Sequence, residues 1–355
     1  MSLRDPLPGE ELPLDTLAEF LSTHVQPTDA EHLSVQQFGS GHSNLTYLIS
    51  DQNNQEEVVL RRPPPGANIK SGHDMSREYS IIHKLYPHWP KVPKPIVLHE
   101  DTELIGTPFY LMEHVKGTIL RGAKPKGVTL DESTMRGICD SFVHTLAEIH
   151  GLDLETTQLT DFGKPEGYIQ RQVEGWTRRW QRAKTDDIPE LDAAATWLAE
   201  HMPSPQSTSI IHNDFKYDNL ILDPDDLTRV IAVLDWEMAT IGDPLMDLGT
   251  SLAYWVEPND PEALQQLRFG PTTLPGNDTR QELVDHYAAL SGLDVSEILF
   301  YYIYGLFKVA VVGQQIYARY KQGLSKDPRF AHLILAVKTL AVTSQRAIQS
   351  GKISH

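Results

Sequence analysis

The chain has 355 residues and a formal net charge of −17 at neutral pH, and 40% of its residues are hydrophobic. This length is enough for one large domain or two ordinary ones, and the hydrophobic fraction is typical of a globular protein rather than a disordered one. The negative charge makes nucleic acid and anionic membrane surfaces poor partners. Cys139 is the only cysteine, so no internal disulfide can form. The N-terminus lacks an apolar signal segment and no stretch is long enough to span a membrane, so a cytoplasmic location is expected.

The N-terminal residues predict an arm and a helix. Residues 1–13 are rich in proline and acids, which is typical of a loose arm. From Leu14 to Val25 the apolar residues recur at helical spacing. A short helix on the outside of a domain is therefore expected.

A turn with two glycines lies between the first two predicted strands, within residues 33–50. Gly39 and Gly41 form it, and Ser43 and Asn44 follow. Because glycine has no Cβ atom, backbone amides in such a turn can approach a phosphate closely. An ordinary hairpin turn is the simpler interpretation of these residues taken alone.

A predicted strand over residues 58–62 ends in two arginines. By period-two alternation Val59 and Arg61 share one face, and Arg62 faces the other way. A helix pattern follows, and it contains Glu78. A strand cation that faces a helix carboxylate is the ion pair of a kinase small lobe, in which the cation is usually lysine. A solvated strand end is the alternative.

The clearest chemical pattern lies between residues 210 and 236. His212, Asp214 and Asn219 have the H-x-D-x-x-x-x-N spacing of the protein-kinase catalytic loop, and Asp235 follows the next apolar strand. In phosphoryl transfer one carboxylate accepts the proton of the attacking hydroxyl, while a carboxamide and a second carboxylate hold magnesium. The sequence therefore predicts Asp214 as the base, with Asn219 and Asp235 as metal ligands. Acids and asparagines also favour polar turns, which is the plain alternative.

Two sets of residues around this loop could support it. Asp247 begins an apolar helix and is a candidate acceptor that braces the backbone of the catalytic loop together with His212. The simple alternative is that Asp247 is an acid near a helix N-terminus that interacts favourably with the helix dipole. His150 ends the helical pattern of residues 130–152 and is expected to be a surface or capping residue, because it lacks metal-ligand spacing.

A basic and aromatic helix is predicted within residues 166–202, although the protein is acidic. It contains Trp176, Arg178 and Arg179, which could hold an anionic or planar substrate. Core tryptophans with solvated arginines are the simpler interpretation.

The chain resembles the aminoglycoside phosphotransferase-like kinases, a branch of the protein-kinase-like fold. The motifs that carry the resemblance occur in the family's order over about residues 33–255: FGSGHSN, VVLRRPPPG, Arg77-Glu78, LMEHVKG, HNDFKYDN, LDWE and GDPLMDLG. The chain looks closest to the subgroup related to the kinase-like domains attached to some acyl-CoA dehydrogenases. Two departures stand out. Arg61 takes the place of the usual lysine, or Arg62 does if the register slips by one, and Asp-Trp-Glu replaces the Asp-Phe-Gly of protein kinases.

The resemblance implies a bilobal α+β fold. An N-terminal arm and helix (1–27) would precede a small antiparallel-sheet N-lobe (28–113) that binds nucleotide. A larger, mainly helical C-lobe (114–355) would carry the catalytic loop and the substrate-binding helices.

The resemblance also implies how the nucleotide is held. Arg61 and Glu78 would orient the phosphates, with Val59 beside them, and the turn around Ser43 would cover the phosphates. The backbone of Glu113 and Val115 would meet adenine, with Met112 at the back of that pocket.

The implied function is a small-molecule O-phosphotransferase that uses ATP or GTP with Mg²⁺. The short segment from Asp235 to Asp247 leaves no room for a peptide-docking platform, which argues against a protein substrate. The subgroup favours a hydroxyacyl-CoA or another anionic hydroxy compound as acceptor. An aminoglycoside or macrolide phosphotransferase, or an inactive nucleotide-binding pseudokinase, are the alternatives. The sequence leaves the nucleotide preference and the oligomeric state open.

Overall fold

The computed structural model of the chain describes residues 3–25, 28–39, 44–64, 73–122, 128–325 and 327–354. The chain forms two compact units. Unit 1 consists of Met1–Ile119, Leu220–Asp225 and Ile231–Ala239, and unit 2 consists of Leu120–Asn219, Asp226–Val230 and Thr240–His355. Each unit therefore gathers segments that are far apart along the chain.

Unit 1 is built on a six-stranded antiparallel sheet. Its strands are β1 (Leu3–Arg4), β2 (Leu33–Phe38), β3 (Leu45–Asp51), β4 (Glu57–Arg62), β5 (Pro95–His99) and β6 (Phe109–Glu113). They lie in the order β1-β2-β3-β4-β6-β5. The N-terminal residues are not a loose arm, because Leu3 pairs with Phe38 across β1 and β2. The hydroxyl of Tyr47 also donates to the carbonyl of Glu10 at 2.7 Å.

The two faces of β4 have different partners. Val58 and Leu60 belong to an apolar cluster with buried residues of the helix α1 (Leu14–His24). Arg62 lies on this same face, as alternation requires, and its Nη2 donates to the carbonyl of Glu10 at 2.7 Å. Arg61 faces the other way and meets the helix α2 (Met75–Leu85).

Two short strand pairs flank the predicted catalytic loop in the sequence. β7 (Ser209–Ile211) precedes the loop and pairs antiparallel with β10 (Thr240–Gly242). β8 (Leu220–Leu222) follows the loop and pairs with β9 (Val230–Val233). A short apolar strand therefore lies on each side of the loop in the sequence.

Unit 2 is mainly helical. Its helices are α3 (Glu132–Gly151), α4 (Tyr168–Ala183), α5 (Pro189–Glu200), α6 (Pro244–Tyr254), α7 (Glu262–Gln265), α8 (Arg280–Ser291), α9 (Ile298–Lys321) and α10 (Leu333–Ser350). The long helix α9 packs against α4, α5, α6 and α10. Of the helices in the described residues, none combines the length and the apolar composition needed to cross a membrane.

The single basic helix expected over residues 166–202 is in fact two helices. α4 ends at Ala183, and α5 begins at Pro189. Proline lacks the backbone N–H that would continue a helix, but its fixed φ suits the first helical position. Pro189 therefore starts a new helix rather than extending the old one.

The backbones of α6 and α9 touch at two glycines. A Cβ atom on Gly305 would lie 2.0 Å from the carbonyl oxygen of Gly249, and one on Gly249 would lie 2.1 Å from the carbonyl oxygen of Tyr301. Only glycine permits this approach. The contact fixes Asp247 on α6 and Lys308 on α9 at a defined separation.

Candidate active site

Asp214 lies in unit 2 and is held by three side chains. The hydroxyl of Tyr254 donates to its Oδ1 at 2.7 Å, and the ammonium group of Lys216 contacts its Oδ2. Nδ2 of Asn219 donates to the same Oδ2 at 3.1 Å and to the Asp214 carbonyl at 2.9 Å. The structure thus brings the predicted base and one predicted metal ligand into direct contact.

These partners keep Asp214 ionised although little of it is exposed. Burial acts to raise the pKa of the carboxyl, but the charge and hydrogen bond of Lys216 and the hydrogen bond of Tyr254 outweigh it and lower the pKa below its usual value. The side chain is still 16% exposed. Asp214 is therefore an oriented anion that a substrate can reach.

Asp247 braces the backbone of the loop. Its two carboxylate oxygens accept from the amides of His212 at 2.6 Å and Asn213 at 2.7 Å. Nδ1 of His212 in turn lies 3.2 Å from the amide nitrogen of Asp214. Both residues predicted as braces, His212 and Asp247, contact this backbone.

His150 is not a surface residue, contrary to expectation. Its Nε2 lies 3.1 Å from Oδ2 of Asp247, and its Nδ1 lies 2.6 Å from the hydroxyl of Tyr287. Burial acts to raise the pKa of Asp247, but the hydrogen bond and charge of His150 outweigh it and lower the pKa. The end of α3 therefore supports the loop through Asp247, which sequence spacing could not show.

In unit 1, Arg61 stands among three carboxylates. Its Nε donates to Glu78 at 2.9 Å, and its Nη2 donates to Asp235 at 2.5 Å and to Glu237 at 3.1 Å. Nδ2 of Asn44 donates to Glu237 as well, at 2.9 Å. Four residues predicted from the sequence, Asn44, Arg61, Glu78 and Asp235, thus belong to one cluster, and Glu237 joins it.

Among the residues that the structure describes, this cluster holds one guanidinium and three carboxylates. Burial acts against the charge on Arg61, but Glu78 and Asp235 outweigh it and raise the pKa of Arg61. Burial raises the pKa of Glu78, and the nearby Asp235 adds to this while Arg61 opposes it.

Val59 and the residues predicted around adenine lie on or after the sheet. Val59 and Met112 are buried and pair across β4 and β6. Glu113 ends β6, and its amide donates to the carbonyl of Lys94 at 2.9 Å. Val115 follows as a half-buried residue.

The glycine turn is described only in part. Gly39 directly follows β2, and Asn44 is buried. Gly41 and Ser43 lie outside the described residues.

A family comparison decides the class of the protein. The sequence model of the phosphotransferase enzyme family matches residues 34–283, well over half of the chain. The chain belongs to this family. The match confirms the predicted resemblance and the predicted enzyme class, a phosphotransferase.

The chain is also similar to parts of larger proteins. It is 34% identical over 329 residues to acyl-CoA dehydrogenase family member 11 of Homo sapiens, and the match covers 90% of this chain but only 41% of that protein. It is 36% identical over 310 residues to acyl-CoA dehydrogenase family member 10 of Mus musculus, covering 87% of this chain and 28% of that one. The chain therefore spans less than half the length of these relatives.

A solved structure confirms the fold of the phosphotransferase. A Ralstonia eutropha protein, provisionally described as an aminoglycoside phosphotransferase, superposes with a TM-score of 0.80 and is 28% identical. The match covers 96% of this chain and 99% of the other. The predicted bilobal α+β, kinase-like class is thereby confirmed.

The three residues predicted to bind substrate lie on α4. Trp176 is buried in the core, and the guanidinium of Arg179 stacks on its ring at 4.5 Å from the centroid. Arg178 is exposed and lies 3.5 Å from Glu174. Their part in substrate binding stays a prediction.

Several residues of the candidate site were not predicted. Lys216 and Glu237 lie inside the motifs HNDFKYDN and LDWE, so inspection of those motifs could have found them. Tyr254 and Lys308 lie far along the chain, and only the packing of α6 and α9 brings them to the loop. Their sequence surroundings, apolar helices, carry no signal of this role.

Proposed function

We propose that the protein transfers the γ-phosphoryl group of ATP or GTP to a hydroxyl group of a small molecule, with Asp214 as the base. The observation that carries this proposal is the oriented, ionised carboxylate of Asp214, held by Tyr254 and Lys216 and still reachable. The acceptor oxygen attacks the γ-phosphorus while the bond to the β-phosphate oxygen breaks. Asp214 orients the hydroxyl and takes its proton late. A lowered pKa keeps this carboxylate ionised, so that it can orient the hydroxyl and accept its proton.

Arg61 supplies the fixed cation of unit 1. Its guanidinium is charged at every working pH and is held by Glu78 from α2. Preorganised charge of this kind stabilises phosphate oxygens without a reorganisation cost. Val59, Met112, Glu113 and Val115 would hold the base of the nucleotide.

Mg²⁺ is the metal that the donor atoms fit best. Asp235 and Asn219 offer the oxygen ligands that Mg²⁺ prefers, and Glu237 lies in the Arg61 cluster with Asp235. In the described part of the chain no cluster of three or more His, Cys, Asp and Glu side chains is suited to a metal. Mg²⁺ usually takes one or two protein carboxylates and completes its shell with substrate phosphates and water. When bound, the ion would neutralise charge on the phosphates.

The charges around Asp214 argue against a polycationic acceptor. Lys216 touches Asp214, and both Lys216 and Arg121 act on the neighbouring Asp218. Burial raises the pKa of Asp218 to about 6, while the two cations oppose the rise. Lys216 and Arg121 thus balance the charges of Asp214 and Asp218, in a chain whose net charge is −17. A polycationic aminoglycoside would require an acidic excess at this place.

An aromatic surface next to the base suits an acceptor with an apolar part. The ring of Phe269 is 43% exposed and packs edge-on against Tyr254, with 5.1 Å between centroids. The ammonium of Lys216 lies 5.9 Å from the centre of the Phe269 ring. A hydroxyacyl-CoA or a related hydroxy acid combines an apolar chain with negative charge, and the relatives named as acyl-CoA dehydrogenases agree with this choice.

The central test replaces the base. We expect Asp214→Asn to lower kcat by at least about a hundredfold, because proton transfer to a positioned base is commonly worth that much. Asp192→Asn is the matched control, because Asp192, like Asp214, accepts from a lysine and from an aromatic side chain. These are Nζ of Lys184 and Nε1 of Trp180, each at 2.7 Å. ADP release and thermal unfolding should be measured for both variants. Normal turnover by a folded Asp214→Asn protein would remove Asp214 from the mechanism.

The acceptor class is tested by ADP release with a panel of hydroxyl compounds. Hydroxyacyl-CoAs and hydroxy acids should support turnover with ATP or GTP, and aminoglycosides and macrolides should not. Phe269→Ala should raise KM for the acceptor and leave KM for the nucleotide unchanged. Turnover with an antibiotic alone would favour the antibiotic-kinase alternative. Nucleotide binding without ADP release, for every acceptor, would favour an inactive pseudokinase.

A further inference from the structure

A lysine in the core of unit 2 contacts the backbone of the catalytic loop from helix α9. Lys308 lies in the middle of α9 and is 2% exposed. Its Nζ donates to the backbone carbonyl of Asn213 at 2.6 Å and lies 3.4 Å from the side-chain oxygen of the same residue. Asn213 directly precedes Asp214, so the ammonium group acts one peptide bond away from the proposed base.

Asn213 adopts a backbone conformation that needs support. Its φ angle is +65°, in the left-handed region that residues other than glycine rarely occupy. Asparagine enters this region more readily than most residues, and here its surroundings hold it there.

Three helices impose this conformation on Asn213. Asp247 of α6 binds its amide, and Lys308 of α9 binds its carbonyl. Nδ2 of its side chain donates to the hydroxyl of Tyr168 on α4 at 3.2 Å. The peptide that leads into Asp214 is therefore fixed on every side.

We propose that Lys308 is a positioning residue for phosphoryl transfer, which holds the Asn213 carbonyl and thereby sets the orientation of the Asp214 carboxylate. The inference rests on the proposed role of Asp214 as the base. It predicts that loss of the ammonium group changes the chemical step and not the binding of either substrate.

The cost of burying Lys308 supports a functional role. Burial lowers the pKa of its ammonium group to about 8, with Asp214 and Asp247 acting against the shift and Lys216 and Arg179 adding to it. A group whose charged form is disfavoured by the fold destabilises the folded state at neutral pH. An apolar residue would avoid this cost, so stability alone does not account for a lysine here.

The test replaces Lys308 with methionine, which has a similar length but neither charge nor donor. We expect kcat to fall at least tenfold at neutral pH, with KM for nucleotide and acceptor within twofold of wild type. The midpoint of thermal unfolding should stay at or above that of the control. The matched control is Gln314→Met on the same helix, where a buried amide donates to the Ala183 carbonyl at 2.8 Å. This control should lose stability and keep its kcat.

The outcomes separate the two proposals. A folded Lys308→Met protein with wild-type kcat would overturn the positioning role while Asp214→Asn remains inactive. Wild-type turnover by Asp214→Asn would overturn the proposed function itself. If Lys308→Met does not fold, Lys308→Gln decides, since it keeps an N–H donor and loses the charge-assisted bond. A kcat lowered severalfold at unchanged KM would support the role, and an unchanged kcat would overturn it.

Discussion

The strand pattern around Arg61 and Arg62 predicts which face of the sheet each side chain occupies. Alternation predicts opposite faces for them, and the structure confirms this: Arg61 meets Glu78, while Arg62 meets Tyr47 and the carbonyl of Glu10. Two neighbours of the same type thus have different surroundings. One lies in a cluster of carboxylates, and the other ties the N-terminal segment to the sheet.

Substitution by lysine should separate these two arginines. Lysine keeps the charge but cannot fork between several carboxylates. We therefore expect Arg61→Lys to lower kcat/KM for the nucleotide by about tenfold or more, with a small change in the unfolding midpoint. The measurement is steady-state ADP release against nucleotide concentration.

Arg62→Lys is the control for this experiment. It should lower the unfolding midpoint, because Nη2 and Nε of Arg62 bond Tyr47 and Glu10 from a buried position, and leave kcat/KM unchanged. A loss of nucleotide use in Arg62→Lys and not in Arg61→Lys would give Arg62 the phosphate-orienting role.

The contact between Asp214 and Asn219 could be predicted from local spacing, and the contacts of Tyr254 and Lys308 could not. Asp214 and Asn219 are five positions apart, so one turn can bring them together, and the motif spacing carries that information. Tyr254 is forty positions from Asp214 and Lys308 is ninety-five from Asn213. No local pattern links such pairs, because their contacts depend on how α6 and α9 cross.

At the level of elements, the backbone contact between Gly249 of α6 and Gly305 of α9 positions the side chains that hold the catalytic loop. α6 holds Asp247 and Tyr254, and α9 holds Lys308. All three side chains reach the loop from helices whose separation Gly249 and Gly305 set. A small change in that separation would therefore move all three side chains relative to the loop.

Gly305→Ala tests this dependence. The added Cβ would meet the Gly249 carbonyl oxygen at 2.0 Å, and backbone cannot give way as a side chain can. We expect a loss of about 2 kcal/mol or more in the free energy of unfolding, in the range of overpacked cores, together with a lower kcat. Chemical denaturation and ADP release measure the two effects.

Gly313→Ala on the same helix is the matched control. A Cβ at Gly313 would lie 3.4 Å from the nearest atom, a methyl group of Val337, which is ordinary contact. Alanine favours helix over glycine by about 1 kcal/mol, so this variant should be as stable as wild type or more so. Equal destabilisation by both substitutions would show that the close contact is not what matters.

For the whole molecule, the order of motifs predicted more than any single motif. The family, the α+β class and the enzyme class follow from seven short motifs in sequence order, and the comparisons confirm all three. No single motif predicts that unit 1 includes segments as far along the chain as residue 239. Arg61 and Asp235 are 174 positions apart, and only the resemblance to a known fold could predict their contact.

Nucleotide binding to the whole protein should depend on Mg²⁺ and on Asp235. A ligand that binds only the folded state stabilises it by about 2.7 kcal/mol at a hundredfold excess over Kd. We expect ATP or GTP with Mg²⁺ to raise the unfolding midpoint by several degrees, and the same nucleotide with EDTA to raise it less. Asp235→Asn should lose the increment that Mg²⁺ adds. Asp187→Asn is the control, because this acid is 87% exposed and its replacement changes the net charge of −17 by the same amount. An equal loss in both variants would mean that Mg²⁺ acts through the overall negative charge and not through Asp235.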